Sequence, residues 1–501
     1  MTEKKYILAC DLGTTGNKAS LFNLEGRAVA SAFIGYETSY PGPNWAEQDP
    51  ADWWRAVCES SRKLMAEAKI SPKEIAAIGF SGQMMGCLPV DKDGNPLRPS
   101  IIWADMRSVE EARFLAEKCG ADEIYRRTGH RATSSYSASK ILWVKNHQPD
   151  LYAKTHKFLQ AKDYVAYRLT GAYATDFSDA SGTNMLDLDE MRWAEDILEA
   201  IGIARELLPE AHPSSTVIGE VTRQAAEETG LAPGTPVVIG GGDGACATAG
   251  AGVVGEGDAY NYIGSSSWIS TVTRRPIYDP QKRTFTFVCL DPNYFFPTGT
   301  MQAAGGSYTW LEGILREDYL MMDEEASGVE PGAKGLLFMP YLIGERSPHW
   351  NPLARGAFVG LTMQHGRAEM ARAVLEGVAF NLRIILDAFR EQGVRFTAIR
   401  LIGGGAKSPI WRQILADVFE LTILRPELLA EATSLGAAIA AGIGAGLFPG
   451  FEVAKEMVRV EEGEKPNPAR SKLYLELYQI FQETYRALEP IYERLAALTL
   501  A

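Results

Sequence analysis

Short apolar runs that stop at glycine-rich polar loops alternate along this chain with stretches of helical spacing. Residues 6–10 form one such run, ending in Asp11-Leu12-Gly13-Thr14-Thr15-Gly16. Residues 18–23 form a second, and Gly26 follows where a turn is expected. This predicts strand, tight loop, strand. Residues 52–69 place Trp54, Val57, Ser61 and Leu64 on one face and predict a helix. Residues 75–80 are again a strand, closed by Ser81-Gly82. Strands alternating with helices imply the α/β class.

The pattern starts again in the second half. Residues 237–239 run as a strand into Gly240-Gly241-Gly242-Asp243-Gly244 and an Ala-rich helix. Residues 259–263 and 268–273 are strands around the polar loop Gly264-Ser265-Ser266-Ser267, the layout of the N-terminal hairpin. Residues 75–82 match 398–405 as apolar strands that end in glycines. Two related halves joined near residue 255, with a ligand cleft between them, are expected. Residues 324–334 suggest a surface loop. Residues 473–498 predict a closing helix with a kink or break at Pro490. The run 432–450, rich in Gly and Ala and closed near Pro449, suggests a buried helix rather than a membrane span.

Charge narrows the partners. Across 501 residues, Lys plus Arg is 50 and Asp plus Glu is 63, a net charge of −13. That argues against nucleic acid or an anionic membrane as partner, but leaves room for a phosphate ligand held by backbone N–H groups and a metal ion. With 46% hydrophobic and 23% charged residues, a disordered, collagen-like or coiled-coil chain is excluded. The six cysteines form no CxxC pair and no Cys/His cluster of zinc-finger spacing, so reduced thiols in a cytoplasm are expected. The segment MTEKKYILACDLG has no long apolar core and no cleavage site, so no signal peptide is expected.

Four motifs could carry chemistry. In the loop Asp11–Gly16, glycines allow close approach to a phosphate, Thr14 and Thr15 offer hydroxyls, and Asp11 could hold magnesium through water. The same residues also suit a plain hairpin turn. The Gly264-Ser265 loop offers further N–H and O–H donors, and one such loop in each half favours a phosphate clamp. Gly403-Gly404-Gly405-Ala406 precedes a helix over residues 410–419; it suits part of a nucleotide lying on bare backbone, or a tight strand–helix turn. It fits neither a Rossmann nor a P-loop pattern. Asp243 among glycines could be a general base toward a hydroxyl, or the N-cap of the following helix. No HExxH occurs, and His349 and His365 suit structural or surface roles.

Together these pieces resemble the FGGY carbohydrate kinase family of the actin-like ATPase superfamily, and within it the xylulose kinase branch. One family pattern stands as Ser135-x-Ser137-x-x-Lys140-Ile141-x-Trp143-Val144-x-Asn146-His147. The other is Gly356-x-Phe358-x-Gly360-Leu361, seven residues, then Glu369-Met370-x-x-Ala373-Val374-Leu375-Glu376. Residues 340–348 and Ser81-Gly82-Gln83-Met84 are similar to the xylulose kinase branch. The resemblance implies an α/β fold of two actin-like (ribonuclease H-like) domains with an interdomain cleft: a sugar-binding domain over 1–254 and a nucleotide-binding domain over 255–501. It implies ATP and Mg2+, with the metal at Asp11, and phosphate contacts from Asp11, Gly13, Thr14, Thr15, Gly264 and Ser265. Gly404, Gly405 and Ala406 match the adenosine motif, and Asp243 matches the catalytic base. Gln83, Met84, Met85, Trp103, Asp105 and Trp268 match positions lining or bordering the sugar pocket.

Glycerol kinases carry Arg-Glu where this chain has Met84-Met85, and typical xylulose kinases carry His where Met85 stands. The implied activity is phosphorylation of a ketopentose such as xylulose on a primary hydroxyl. Another ketose, a tetrulose, a polyol or a sugar acid remains open, and so does a homodimer. The rivals are an actin- or chaperone-like ATPase switch and a sugar sensor without turnover.

Overall fold

A computed structural model gives the structure; it describes residues 4–427 and 431–499. The outer ends of the expected two-domain division, residues 1 and 501, lie outside the described residues.

The residues 75–82 are apolar or small throughout, and all are buried. A strand without a polar face belongs inside a sheet covered on both sides. It lies between Pro236–Val238 and Tyr6–Leu12, parallel to both. The sheet continues antiparallel through Gly16–Asn23 and Ala28–Gly35, and Val217–Glu220 closes the other edge. The second half repeats this order. Ala398–Ile402 lies between Thr422–Pro426 and Ala259–Ile263, parallel to both. Ser267–Thr271 and Phe295–Met301 follow antiparallel, and Val460–Glu462 closes the far edge. The match between 75–82 and 398–405 is therefore a topological one: counted from the edge strands Val217–Glu220 and Val460–Glu462, each is the third strand of its sheet. The chain has the expected mixed α/β fold of two related halves.

The halves are interlocked. Helix Ala432–Gly444 comes from the second half but lies against strands Tyr6–Leu12 and Ile75–Gly82 of the first and against helix Asp243–Gly250. Small residues allow this: a Cβ on Gly79 would stand 2.6 Å from the Ala437 carbonyl oxygen, and one on Gly250 only 1.7 Å from that of Ala432. The long Ala/Gly run is thus a buried helix, ending at Gly444. Among the described residues no helix is long and apolar enough to cross a membrane.

Two local expectations change. Residues 324–327 belong to helix Tyr319–Ser327, capped by Asp318, whose carboxylate accepts from the Met321 N–H at 3.0 Å. Met322 and Ala326, one turn apart, are buried in the second-half core and hold the helix despite its polar sequence. Helix Pro468–Thr499 continues through Pro490 without a break. Tyr474, Tyr478, Phe481 and Tyr485 before the proline and Tyr492 after it are all buried in the same core, so packing on both sides outweighs the missing N–H.

Candidate active site

The sheet register brings the first-half motifs together. Asp11 is paired with Ser81, and Ser81 with Gly241 on its other side. Asp243 follows two residues later, as the first residue of helix Asp243–Gly250. The N-cap position is taken by Gly242, so Asp243 does not cap the helix. Its Oδ1 accepts from its neighbour, the Gly244 N–H, at 2.8 Å, and the residue is exposed. The carboxyl sits in a recess walled by protein but open to water. Loss of hydration and the nearby Asp11 charge push its pKa up to about 7. The Asp11 carboxyl is also raised, mainly by burial, against the pull of the Ser81 hydroxyl and Lys18. The Asp11 charge disfavours that of Asp243, and two carboxyls so close suit a cation that arrives with its own waters. Among the described residues no group of three or more His, Cys, Asp or Glu could enclose a metal.

The residues after Ser81 run on from the strand end beside Asp11, and the Gln83 N–H donates to the Leu12 carbonyl at 2.9 Å. Gln83 is buried, and its Nε2 donates to Gln48 Oε1 at 2.7 Å; its own Oε1 has no partner. Gln48 Nε2 donates in turn to the Thr14 carbonyl at 2.6 Å, tying this segment to the Asp11–Gly16 loop. Gln48 lies in no recognisable pattern, and no signal in the sequence marks it. Met84 is buried against Gly242, where a Cβ would stand 2.6 Å from its sulfur. Met85 is half-buried and holds a left-handed backbone, φ 63°. Trp103 is exposed, with its Nε1 donating to Thr14 Oγ1 at 3.0 Å. Trp268, from the second half, stacks on Tyr262 with ring centroids 4.0 Å apart and donates to the Tyr260 hydroxyl at 2.9 Å.

Asp105, expected to line or border the sugar pocket, has its carboxylate taken up by protein donors. It is fully buried, and its oxygens accept from the Ala46 N–H at 2.6 Å and the Arg107 guanidinium at 2.7 Å. The Arg107 guanidinium also lies 3.8 Å over Trp45. A carboxylate so engaged ties the segment around residue 105 to residues 46 and 107.

On the second half, three bare-backbone segments converge. Gly403 has φ 89°, and a Cβ there would meet the Ile263 carbonyl oxygen at 2.5 Å. A Cβ on Gly305 would meet that of Gly264 at 2.3 Å. Glycine is thus required at both crossings. They frame a cavity of about 520 Å³ lined by Gly264, Ser265, Gly404 and Gly405, with Tyr308, Thr309, Asp323 and Trp411 on its walls. Its size suits a nucleoside. Ala406 does not line it; its carbonyl accepts from Arg412 at 2.7 Å. The wall residues 308–323 were missed in the sequence because they come from helices with no special pattern.

Twin sheets with a glycine loop at the end of each, and the Asp243 carboxyl near Asp11 beside one of those loops, are the arrangement of an enzyme that transfers phosphoryl groups. Comparison with known proteins gives the family. Residues 6–250 match the N-terminal domain, and 259–445 the C-terminal domain, of the FGGY family of carbohydrate kinases. A xylulose kinase of Bacillus subtilis is 33% identical over 484 residues, 96% of this chain and 97% of that protein. A gluconokinase of the same organism is also 33% identical, over 98% of each chain. The crystal structure of a ligand-bound xylulose kinase from Lactobacillus acidophilus superimposes with a TM-score of 0.93 at 30% identity, covering 98% of this chain and 100% of that one. The chain belongs to the FGGY family of carbohydrate kinases, enzymes that use ATP.

Proposed function

We propose that this kinase transfers the γ-phosphoryl group of ATP to a primary hydroxyl of a ketopentose of the xylulose type. The observation that carries the reading is the Asp243 carboxyl: exposed, uncommitted to any cap, and facing Asp11. Asp243 accepts the proton of the attacking hydroxyl as general base. The Asp11–Gly16 loop, through Gly13, Thr14 and Thr15, and the Gly264-Ser265 loop supply donors for the phosphates. Asp11 would hold Mg2+, directly or through water, and that ion supplies neutralising charge on the phosphate oxygens. Phosphoryl transfer is mostly positioning and charge stabilisation, which such loops provide. Gly404, Gly405 and the aromatic walls of the cavity take the adenosine. Gln83, Met84, Met85, Trp103 and Trp268 face the sugar, and Asp105 fixes the loop that carries Trp103.

Two further assignments belong to this reading. We divide the domains at 254/255, supported by the start of the second sheet at Ala259 and by the two family matches on either side. The enzyme is placed in the cytoplasm, supported by six cysteines that are all free thiols. A second substrate class, a sugar acid, has support in the gluconokinase relative, as similar in identity as the xylulose kinase.

The test is an ADP-release screen over ketoses, aldoses, polyols and aldonic acids. D-Xylulose is expected to give the highest kcat/KM. A higher value with gluconate would transfer the assignment to sugar acids, and ATP turnover that no sugar stimulates would remove it.

The pH profile carries a second expectation. A base must be unprotonated, and a carboxyl raised to about 7 is mostly protonated below that value. The kcat/KM for sugar should therefore fall below pH 7, approaching tenfold per unit. A flat profile between pH 5 and 7 would contradict the raised carboxyl.

A further inference from the structure

The Met85-Gly86 peptide unit is held by three buried side chains from distant parts of the first half. The Lys140 ammonium donates to the Met85 carbonyl at 2.7 Å and to the Ser135 carbonyl at 2.5 Å. Ser137 Oγ donates to the Gly86 carbonyl at 2.8 Å. Gln160 Oε1 accepts from the Gly86 N–H at 3.3 Å, and its own Nε2 donates to the Asp179 carbonyl at 3.1 Å. Lys140 and Ser137 stand one turn apart on helix Ser137–His147, so one helix grips two successive carbonyls.

The geometry points to Lys140 as a positioning residue that sets sugar preference: its buried ammonium holds Met85 in a left-handed backbone and so fixes where the Met84 and Met85 side chains stand. A non-glycine residue keeps a positive φ only when its surroundings over-determine it, and Met85 at φ 63° is such a residue. Lys140 is fully buried, an unusual place for a lysine without a carboxylate in direct contact. Burial pulls its pKa down to about 7. The ammonium form, which predominates below that pH, makes stronger hydrogen bonds to carbonyls than the neutral amine does. The same helix also braces the neighbouring wall. Trp143, one turn on, lies 4.8 Å under the Arg107 guanidinium that holds Asp105. The family pattern Ser135-x-Ser137-x-x-Lys140 thereby acquires a physical task, scaffolding the sugar loop without touching the sugar.

This rests on the proposed reading of residues 83–85 as sugar-facing, so the experiment separates the two. KM and kcat are measured for Lys140→Met, Gln83→Ala, Met85→Asn and the double variant Lys140→Met with Met85→Asn, using D-xylulose, or gluconate if the screen favours it. Lys140→Met is expected to raise the sugar KM tenfold or more while the ATP KM stays within twofold. Asn tolerates the left-handed region, so Lys140→Met is expected to raise the sugar KM at least threefold less when added to Met85→Asn, which already carries the altered sugar contact, than when added to the parent enzyme. General loosening of the fold would shift both KM values, whichever residue stands at position 85. Should Lys140→Met not yield folded protein, Lys140→Gln and Ser137→Ala are read against the same expectation, with smaller rises in sugar KM alone. If Gln83→Ala raises the sugar KM and no Lys140 or Ser137 variant does, the positioning role is wrong. If Gln83→Ala also leaves it unchanged, the sugar-loop reading fails and takes the proposal with it.

Discussion

Replacing Asp243 with Asn leaves the protein folded and able to bind ATP, and lowers sugar phosphorylation by about 10²-fold or more, the usual contribution of a general base. The reason lies in how little else this side chain does. Its hydrogen bonds are local, from the N–H of the next residue at 2.8 Å and from its own, and among the described residues it makes no ion pair. An amide of the same shape can keep those bonds through its oxygen. Stability should therefore hold, or rise slightly, because the Asp11 charge no longer faces a second carboxyl. Steady-state kinetics with a nucleotide-binding assay checks both halves of this. Near-full activity of the variant would take Asp243 out of the reaction.

The second large effect is on stability and comes from a residue far from the chemistry in sequence. Gly436 lies on the second-half helix Ala432–Gly444, and a Cβ there would stand 2.1 Å from the Cys246 carbonyl oxygen and 2.8 Å from its Cα. Both are backbone atoms of the helix that begins with Asp243, so neither can swing aside. Gly436→Ala should cost about 3 kcal/mol or more, well above the typical single substitution. It should also lower kcat, since the only relief is to move one helix off the other. Gly313 supplies the control: it is helical, and a Cβ there meets nothing within 4 Å. Gly313→Ala should be neutral or stabilising by up to about 1 kcal/mol. Denaturant unfolding of the two variants decides the point, and equal stabilities would refute the close-contact argument.

Much of the fold was legible because apolar runs and glycine stops are local properties. Residues 6–10 and 75–80 announce buried strands, and the structure extends each by only two residues, to Leu12 and Gly82. The echo between 75–82 and 398–405 was equally readable, since homologous sheet positions impose the same burial. Helix Tyr319–Ser327 was hidden because its stability comes from Met322 and Ala326 docking in a distant core, not from its own pattern. The site divided in the same way. Asp243 stood out as a carboxylate among glycines. Asp105 looked equally available, and only folding showed it locked to Arg107 and Ala46. Gln48, which links Gln83 to Thr14, had no signature at all.

The order of residues alone determined the family, the two-fold repeat, the glycine loops and the carboxyl that stands among them, because each depends on a short stretch of chain. Tertiary structure alone decided that Asp11 and Asp243 share one space, that bare glycines at 264, 305 and 403 make a cavity of nucleoside size, and that Lys140 and Gln48 brace the loop between them. Those facts depend on which distant backbones touch, and contact at that range is set by sheet register and helix packing rather than by any local pattern of side chains.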